Sequence, residues 1–527
     1  MNTMIFVLAV AAASIPPLSS SLATSIPTAI QHVSTGANTV GQYSIGNPSY
    51  PGNPFNVQFP NPVGAGNCVI LCIASPYSSR RTITITDGKN TWPATPAKTI
   101  NNGTTMLSAY VLPNAAAGTQ NFTITFDAAL VACHFGFAEF YNLAASSVID
   151  ATSAAVTSAT ASIAPGSLAT STDGDLIFHY GYDASNVLGN NTAMTNMAPA
   201  AGFTPLSLDI MLGTFAEYEV QSTHGTINPA LTLSGATDSF LNISLALKSA
   251  SYGTAPPGGI RIVGVYSWLQ NRDGIAPIFP CVGNLLYVAS AFGSGDTEAV
   301  SLSSSGGLTW IETPQAEGGN SHWPPQCFYA QNVTPSAALR LSPVSTYNGP
   351  FASHPQSFMV YDVVNAATPV AFDKYSTAST GTETWPGSFA LGTITPSTAN
   401  GLIFGTLGTL EGSIHGAVGQ FFDAPYYGGE ADWDNMINND GYSQYYKSNT
   451  ATVNFGWTLQ TSGGSPGMNV ALTAFKGATP NATPTPTPTP NPTPTAMPTP
   501  IATPTRPTPT PTPIPIPTPP HHHHRGN

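Results

Sequence analysis

Apolar and polar residues alternate along much of this chain. The runs Thr82–Asp87, Phe122–Phe126, Asn242–Leu247 and Met468–Phe475 carry an apolar residue at every second position. A period of two places alternate side chains on opposite faces of an extended strand. Gly, Asn, Pro and Ser clusters punctuate these runs at short intervals, and a helical period of 3.6 is nearly absent. The pattern predicts an all-β protein built of short strands in jelly-roll-like β-sandwiches.

The runs recur in one order. GNCVILCIAS around Asn67 is followed by NTW at Trp92, by FAEFYNLAASSVID ending at Asp150, by DGDLIF at Leu176 and by ISLALK ending at Lys248. GNLLYVAS around Asn284 is followed by LTW at Trp310, by FMVYDVVNAATPVAFD ending at Asp373, by ANGLIF at Leu402 and by VALTAFK ending at Lys476. Asn67 lies 25 residues before Trp92 and Asn284 lies 26 before Trp310; Leu176 lies 72 before Lys248 and Leu402 lies 74 before Lys476. Five landmarks in one order at near-constant spacing read as an internal duplication.

This series of motifs resembles a β-sandwich module that recurs in secreted and surface proteins of bacteria. The resemblance covers both repeats, with a two-cysteine variant of the GNLL strand in the first. It implies a secreted, adhesive or surface-displayed protein and brings no catalytic residues with it. The expected organisation is a signal peptide over residues 1–23, a first repeat over 24–250, a linker over 251–259, a second repeat over 260–477 and a stalk over 478–527.

The two ends support export. Met4–Ala13 is an apolar run too short to span a bilayer but of signal-peptide length, and Ser21-Leu22-Ala23 places small residues at a cleavage site. From Pro480 to Pro520 the chain holds 18 of its 50 prolines. Such a segment has no apolar pattern to bury and extends as a polyproline-II spacer of about 3.1 Å per residue. No later run is long enough to be a membrane anchor.

Charge narrows the function. Lys and Arg number 13 and Asp and Glu 25, for a net charge of −12. Charged residues are 7 % of the chain, against roughly 25 % in an ordinary soluble protein. So few cations exclude neutralisation of a nucleic-acid backbone. The five cysteines, Cys68, Cys72, Cys133, Cys281 and Cys327, include no metal-binding spacing. Bridges of Cys281 to Cys327 and of Cys133 to Cys68 or Cys72 are open, with buried free thiols as the alternative.

Chemistry-bearing residues are few. There is no nucleophile elbow, HExxH, P-loop or dinucleotide fingerprint. His179, inside LIFHYGYD, reads as a buried, satisfied histidine. Glu217 and Glu219 lie two apart on one strand, about 6.6 Å from each other, a spacing compatible with glycoside hydrolysis; a solvent-facing strand accounts for them more simply. The richest stretch is YYGGEADWDNMINNDGYSQYY. Its Tyr426, Tyr427, Trp433, Tyr442 and Tyr445 are candidates to stack on sugar rings, while Glu430, Asp432, Asp434 and Asp440 offer oxygen ligands to calcium. Trp92 and Trp310 occupy equivalent positions, whereas Trp268, Trp323, Trp385, Trp433 and Trp457 are extra in the second repeat. That excess marks the second repeat as the ligand-binding copy. The expected function is non-catalytic surface attachment or binding of a polysaccharide or wall glycan, with a carbohydrate hydrolase and a structural filament subunit as alternatives.

Overall fold

The computed structural model describes residues 26–35, 54–77, 82–127, 133–158, 161–184, 196–209, 213–234, 239–256, 258–270, 278–292, 300–314, 325–345, 356–379, 387–409, 418–419, 441–448, 450–459 and 468–478. These residues form strands joined by turns, without a helix among them, so the all-β class follows the alternation. None of them forms a helix long and apolar enough to cross a membrane. The signal-peptide and stalk segments lie outside the described residues.

A ten-stranded sheet runs through both repeats in the order Ile311–Glu312, Gln326–Gln331, Leu285–Phe292, Gln356–Val364, Arg261–Gln270, Thr28–Thr35, His134–Tyr141, Cys68–Pro76, Thr105–Leu112, Lys98–Asn101. From the central pair outwards the two halves present their equivalent strands in the same order. The central pair, Thr28–Thr35 and Arg261–Gln270, is parallel, with His32 opposite Gly264, while the other pairs of the sheet are antiparallel. The repeats therefore share one sheet instead of standing as separate jelly rolls.

Parallel pairing of two equivalent strands has a geometric consequence. One half maps on the other only by rotation about an axis along the strands, which turns the sheet over. In the first repeat Val69, Leu71 and Ile73 pack with Phe122, Ile124 and Phe126 of a small three-stranded sheet. On its other face Ile70, Cys72 and Ala74 pack with Leu176, Phe178, Tyr180 and Leu245 of a five-stranded sheet. In the second repeat Leu285, Tyr287 and Ala289 meet Phe404 and Phe475 of a four-stranded sheet, and these residues join the core of Leu71, not that of Ile70. Each half is thus layered on both faces, with its large and small outer sheets exchanged between sides.

Layering on both faces explains the unbroken apolar runs. Every residue of CVILCIAS is buried, whereas ITIT of the small sheet alternates buried and exposed. Each fully buried ring, such as Phe135, Phe140, Tyr287 or Phe404, contributes about 2 kcal/mol of apolar transfer. The same sheet separates the cysteines: Cys68 and Cys72 belong to one core, Cys133 and Cys327 to another and Cys281 to a third. All five are free and buried, and burial pushes the Cys68 thiol up to about 12.

The 251–259 stretch, expected from sequence to be a linker, is bonded to both repeats. Thr254 donates its N–H to Asn67 Oδ1 at 2.7 Å and its hydroxyl to Ala65 O at 2.8 Å. Tyr252 OH donates to Asn114 Oδ1 at 2.8 Å, and Asn365 Nδ2 donates to Gly259 O at 3.0 Å.

Candidate functional site

Both repeats bury an acid at the same place. Glu139 and Asp362 lie three residues before Asn142 and Asn365, two equivalent positions held at positive φ of 63° and 59°. Glu139 Oε1 accepts the Gly64 N–H at 2.9 Å and Asn67 Nδ2 at 2.5 Å, while Oε2 accepts Gln31 Nε2 at 2.6 Å. Asp362 accepts the Val282 and Gly283 N–H groups at 2.7 and 2.8 Å. Burial pushes Asp362 to about 6 against those bonds. Both carboxyls hold the loop entering the GN strand and face no solvent, so their work is structural. The sequence reading missed them because each sits among apolar neighbours.

The Glu217–Glu219 pair is likewise not a solvent-facing pair. Glu217 and His179 are both 0 % exposed and bonded at 2.7 Å, and Glu217 Oε2 also accepts the Ala200 N–H at 2.8 Å. His179 is a core histidine as its apolar surroundings predict, packed on Phe215 with ring centroids 4.7 Å apart, but only its Nδ1 is bonded and its buried Nε2 has no partner.

The edge of the second repeat's four-stranded sheet differs. Strand Phe372–Ser379 forms that edge, and strand Gln326–Gln331 lies near the edge of the ten-stranded sheet beneath it. Across this corner Tyr329 and Phe372 stack with centroids 5.4 Å apart and planes 8° from parallel. Phe372 then meets Tyr375 at 6.5 Å and 31°. Tyr329 is buried, Phe372 is half-buried and Tyr375 is 50 % exposed, with exposed Val370 and Lys374 beside it. The row rises from core to solvent and presents a ring face at its outer end. Val111, Ile149 and Thr152 occupy the equivalent positions of the first repeat, so the ladder belongs to the second copy alone.

A bulge fixes its geometry. The pairing of Phe372–Ser379 with Met468–Lys476 slips between Phe372 and Lys374, as that of Ile149–Ser158 with Ser239–Leu247 slips around Asp150. The extra residue is the landmark aspartate in both copies, and the bulge re-aims it out of the ladder. Asp373 then accepts the Ser397 N–H at 2.7 Å together with the Ser397 hydroxyl. Asp150 accepts the Ser171 N–H and hydroxyl, both at 2.5 Å.

Around that shared clamp the first repeat adds polar groups. Asp175, fully buried, stands where the second repeat has Gly401. Burial, opposed by the Thr172 hydroxyl and reinforced by Asp150, pushes Asp175 to about 6. Burial also works to raise Asp150, but Ser171, Asp175 and the Lys248 charge hold it below its ordinary value. Asp173 and His224 pair at 2.7 Å on the exposed surface nearby.

Of the residues singled out from sequence, Tyr426, Tyr427, Trp433, Glu430, Asp432, Asp434 and Asp440 lie outside the described residues. Tyr442 and Tyr445 lie on strand Gly441–Ser448, opposite Leu407 and Phe404. That strand is in the same sheet as Tyr375 but at its other edge. Among the described residues no three His, Cys, Asp or Glu side chains converge as a metal site. Trp92 is buried and donates Nε1 to Asp87 at 2.9 Å, while its equivalent Trp310 is half-buried and donates to Ser304 Oγ at 3.4 Å. The backbones of Trp268 and Trp457 lie in strands; Trp323 and Trp385 are outside the described residues. Phe372 and Tyr375 were missed, although aligning the repeats would have exposed the exchange of Ile149 and Thr152 for two aromatics. Comparison of the chain with family models, curated proteins and solved structures finds no match.

Proposed function

We propose that this is a secreted or surface-displayed attachment protein that binds a polysaccharide without turning it over, through the second repeat. The observation that carries the reading is the Tyr329–Phe372–Tyr375 ladder, which ends in a half-exposed ring at a sheet edge. A sugar ring presents apolar C–H edges to such a face. Stacking on a ring already held by neighbours costs little conformational entropy. The buried acids Glu139, Glu217 and Asp362 each accept a backbone N–H inside the core, which fits a structural role for them.

The test is retention of the full chain on insoluble polysaccharides, with and without calcium, while assaying released reducing sugar. The full chain is needed because the repeats share a sheet. Retention without release, weakened about tenfold by Tyr375→Ala, is the expected result; tenfold corresponds to about 1.4 kcal/mol, within the range of one aromatic contact. Release of sugar would overturn the non-catalytic reading. Retention indifferent to Tyr375 would move the site away from the ladder, and no retention on any polymer would overturn glycan binding.

A further inference from the structure

We propose that in the first repeat Lys248 and Asp150 become joined by an intramolecular isopeptide bond, with Asp175 as the acid that promotes it. Lys248 directly follows strand Ser239–Leu247, and Asp150 is the bulge residue of the strand paired with it. Their side chains meet with Nζ 3.8 Å from Oδ1, and the Asp150 side chain is only 5 % exposed. Asp175 completes the group from strand Asp175–Asp183, on the other side of Ser239–Leu247. Thr172 donates to its Oδ1 at 2.8 Å, whereas its buried Oδ2 finds no N–H or O–H donor. Leu176 and Ile149 both lie opposite Leu247, so Asp175 and Asp150 flank Lys248 from the two neighbouring strands.

That arrangement supplies what amide formation requires. A carboxylate is a poor electrophile, and the two Ser171 donors draw charge from its oxygens. The Ser171 N–H and hydroxyl reach one oxygen each and stabilise charge on the tetrahedral intermediate, as an oxyanion hole does. Lys248 hands its ammonium proton to the Asp175 carboxylate, and the freed Nζ attacks Asp150 Cγ. The Nζ–Cγ bond forms and one Cγ–O bond breaks. The oxygen leaves as water, taking one proton from Asp175 and one from the attacking nitrogen; Asp175 is left as a carboxylate and the amide keeps one N–H. No oxidant or other reactant is consumed. The fixed neighbours replace a bimolecular encounter with an intramolecular one.

The second repeat provides the contrast. Asp373, Ser397 and Lys476 repeat the clamp and the amine, but Gly401 stands at the position of Asp175. The bond is therefore expected once in the chain. It would tie an edge strand to the last strand of its repeat, the pair that would separate first if the sheet edge were pulled.

Intact mass of the full chain under denaturing conditions tests this directly. The wild-type chain is expected to be lighter than its sequence by one water, and Asp175→Ala and Lys248→Arg chains by none. Trypsin is expected to pass Lys248 in the wild type, giving a peptide that runs on to Arg261. A wild-type chain at full mass, cut after Lys248, would overturn the proposal whether or not either variant folds. Loss of two waters, or loss that persists in Lys248→Arg, would also overturn it.

Discussion

The two repeats share a scaffold and differ in what they have built at the same corner. Both carry the bulged aspartate clamped by a serine, the buried acid three residues before a positive-φ asparagine, and the indole that donates from the turn region. At the positions of Val111, Ile149 and Thr152 the second repeat has Tyr329, Phe372 and Tyr375. At the positions of Gly401 and Ala451 the first repeat has Asp175 and His224. The shared set is what the fold needs, since each member satisfies backbone donors or closes a loop. The unshared set is where chemistry has been added, aromatic in one copy and acid–base in the other.

The largest effect is expected where a shared acid is removed. Glu139→Ala leaves Gly64 N–H, Asn67 Nδ2 and Gln31 Nε2 without their buried acceptor and should cost about 4 kcal/mol, read from the denaturant midpoint. Asp362→Ala should cost less, because one of its three donors, beside the Val282 and Gly283 N–H groups, is the weak Cys281 thiol at 3.8 Å. An equal cost would contradict the ordering of the two acids by the strength of the donors they satisfy.

The next effect concerns pH. Asp362 is raised by burial to about 6, so the folded chain holds a proton that the unfolded chain has already lost. Its stabilising contribution is complete below the ordinary carboxylate value and drains as pH rises through about 6. Unfolding midpoints should therefore fall between about pH 4 and pH 6 on the order of 2 kcal/mol for this group, and Asp362→Asn should make that limb shallower, leaving the part that Asp175 contributes. A wild-type profile already flat across the window would contradict it.

Removing the clamp is a smaller perturbation. Ser171→Ala and Ser397→Ala each remove one exposed hydroxyl donor from an aspartate and should cost about 1 kcal/mol apiece. If the isopeptide bond forms, Ser171→Ala should also lower the fraction of first repeats that lose water, an effect with no counterpart for Ser397. Smallest for stability is Tyr375→Ala, within about 0.5 kcal/mol because the ring is half in solvent. A stability-neutral variant that weakens glycan retention about tenfold is the outcome that separates the ladder's role from the scaffold's.

Much of this was legible from the chain itself. Period-two alternation specified strands without helix, because a strand with one wet face must alternate. The duplication was visible in five landmarks, and the structure shows the same strand order on either side of the seam. The buried His179 and the equivalence of Trp92 with Trp310 rest on local patterns that short windows carry, whereas the choice between bridged and free cysteines was left open until the cores placed the thiols apart. What needed tertiary structure was every statement about which residues meet. An apolar run such as CVILCIAS cannot say that it is covered on both faces, nor by which sheets. AEYEV does not announce that Glu217 is buried against His179, which lies 38 residues earlier in the chain. The parallel seam, the exchange of sides that it forces, the ladder running across two sheets and the meeting of Lys248, Asp150 and Asp175 all depend on contacts between distant strands. Sequence periodicity fixes only which face a side chain takes; the partner across that face is chosen by packing.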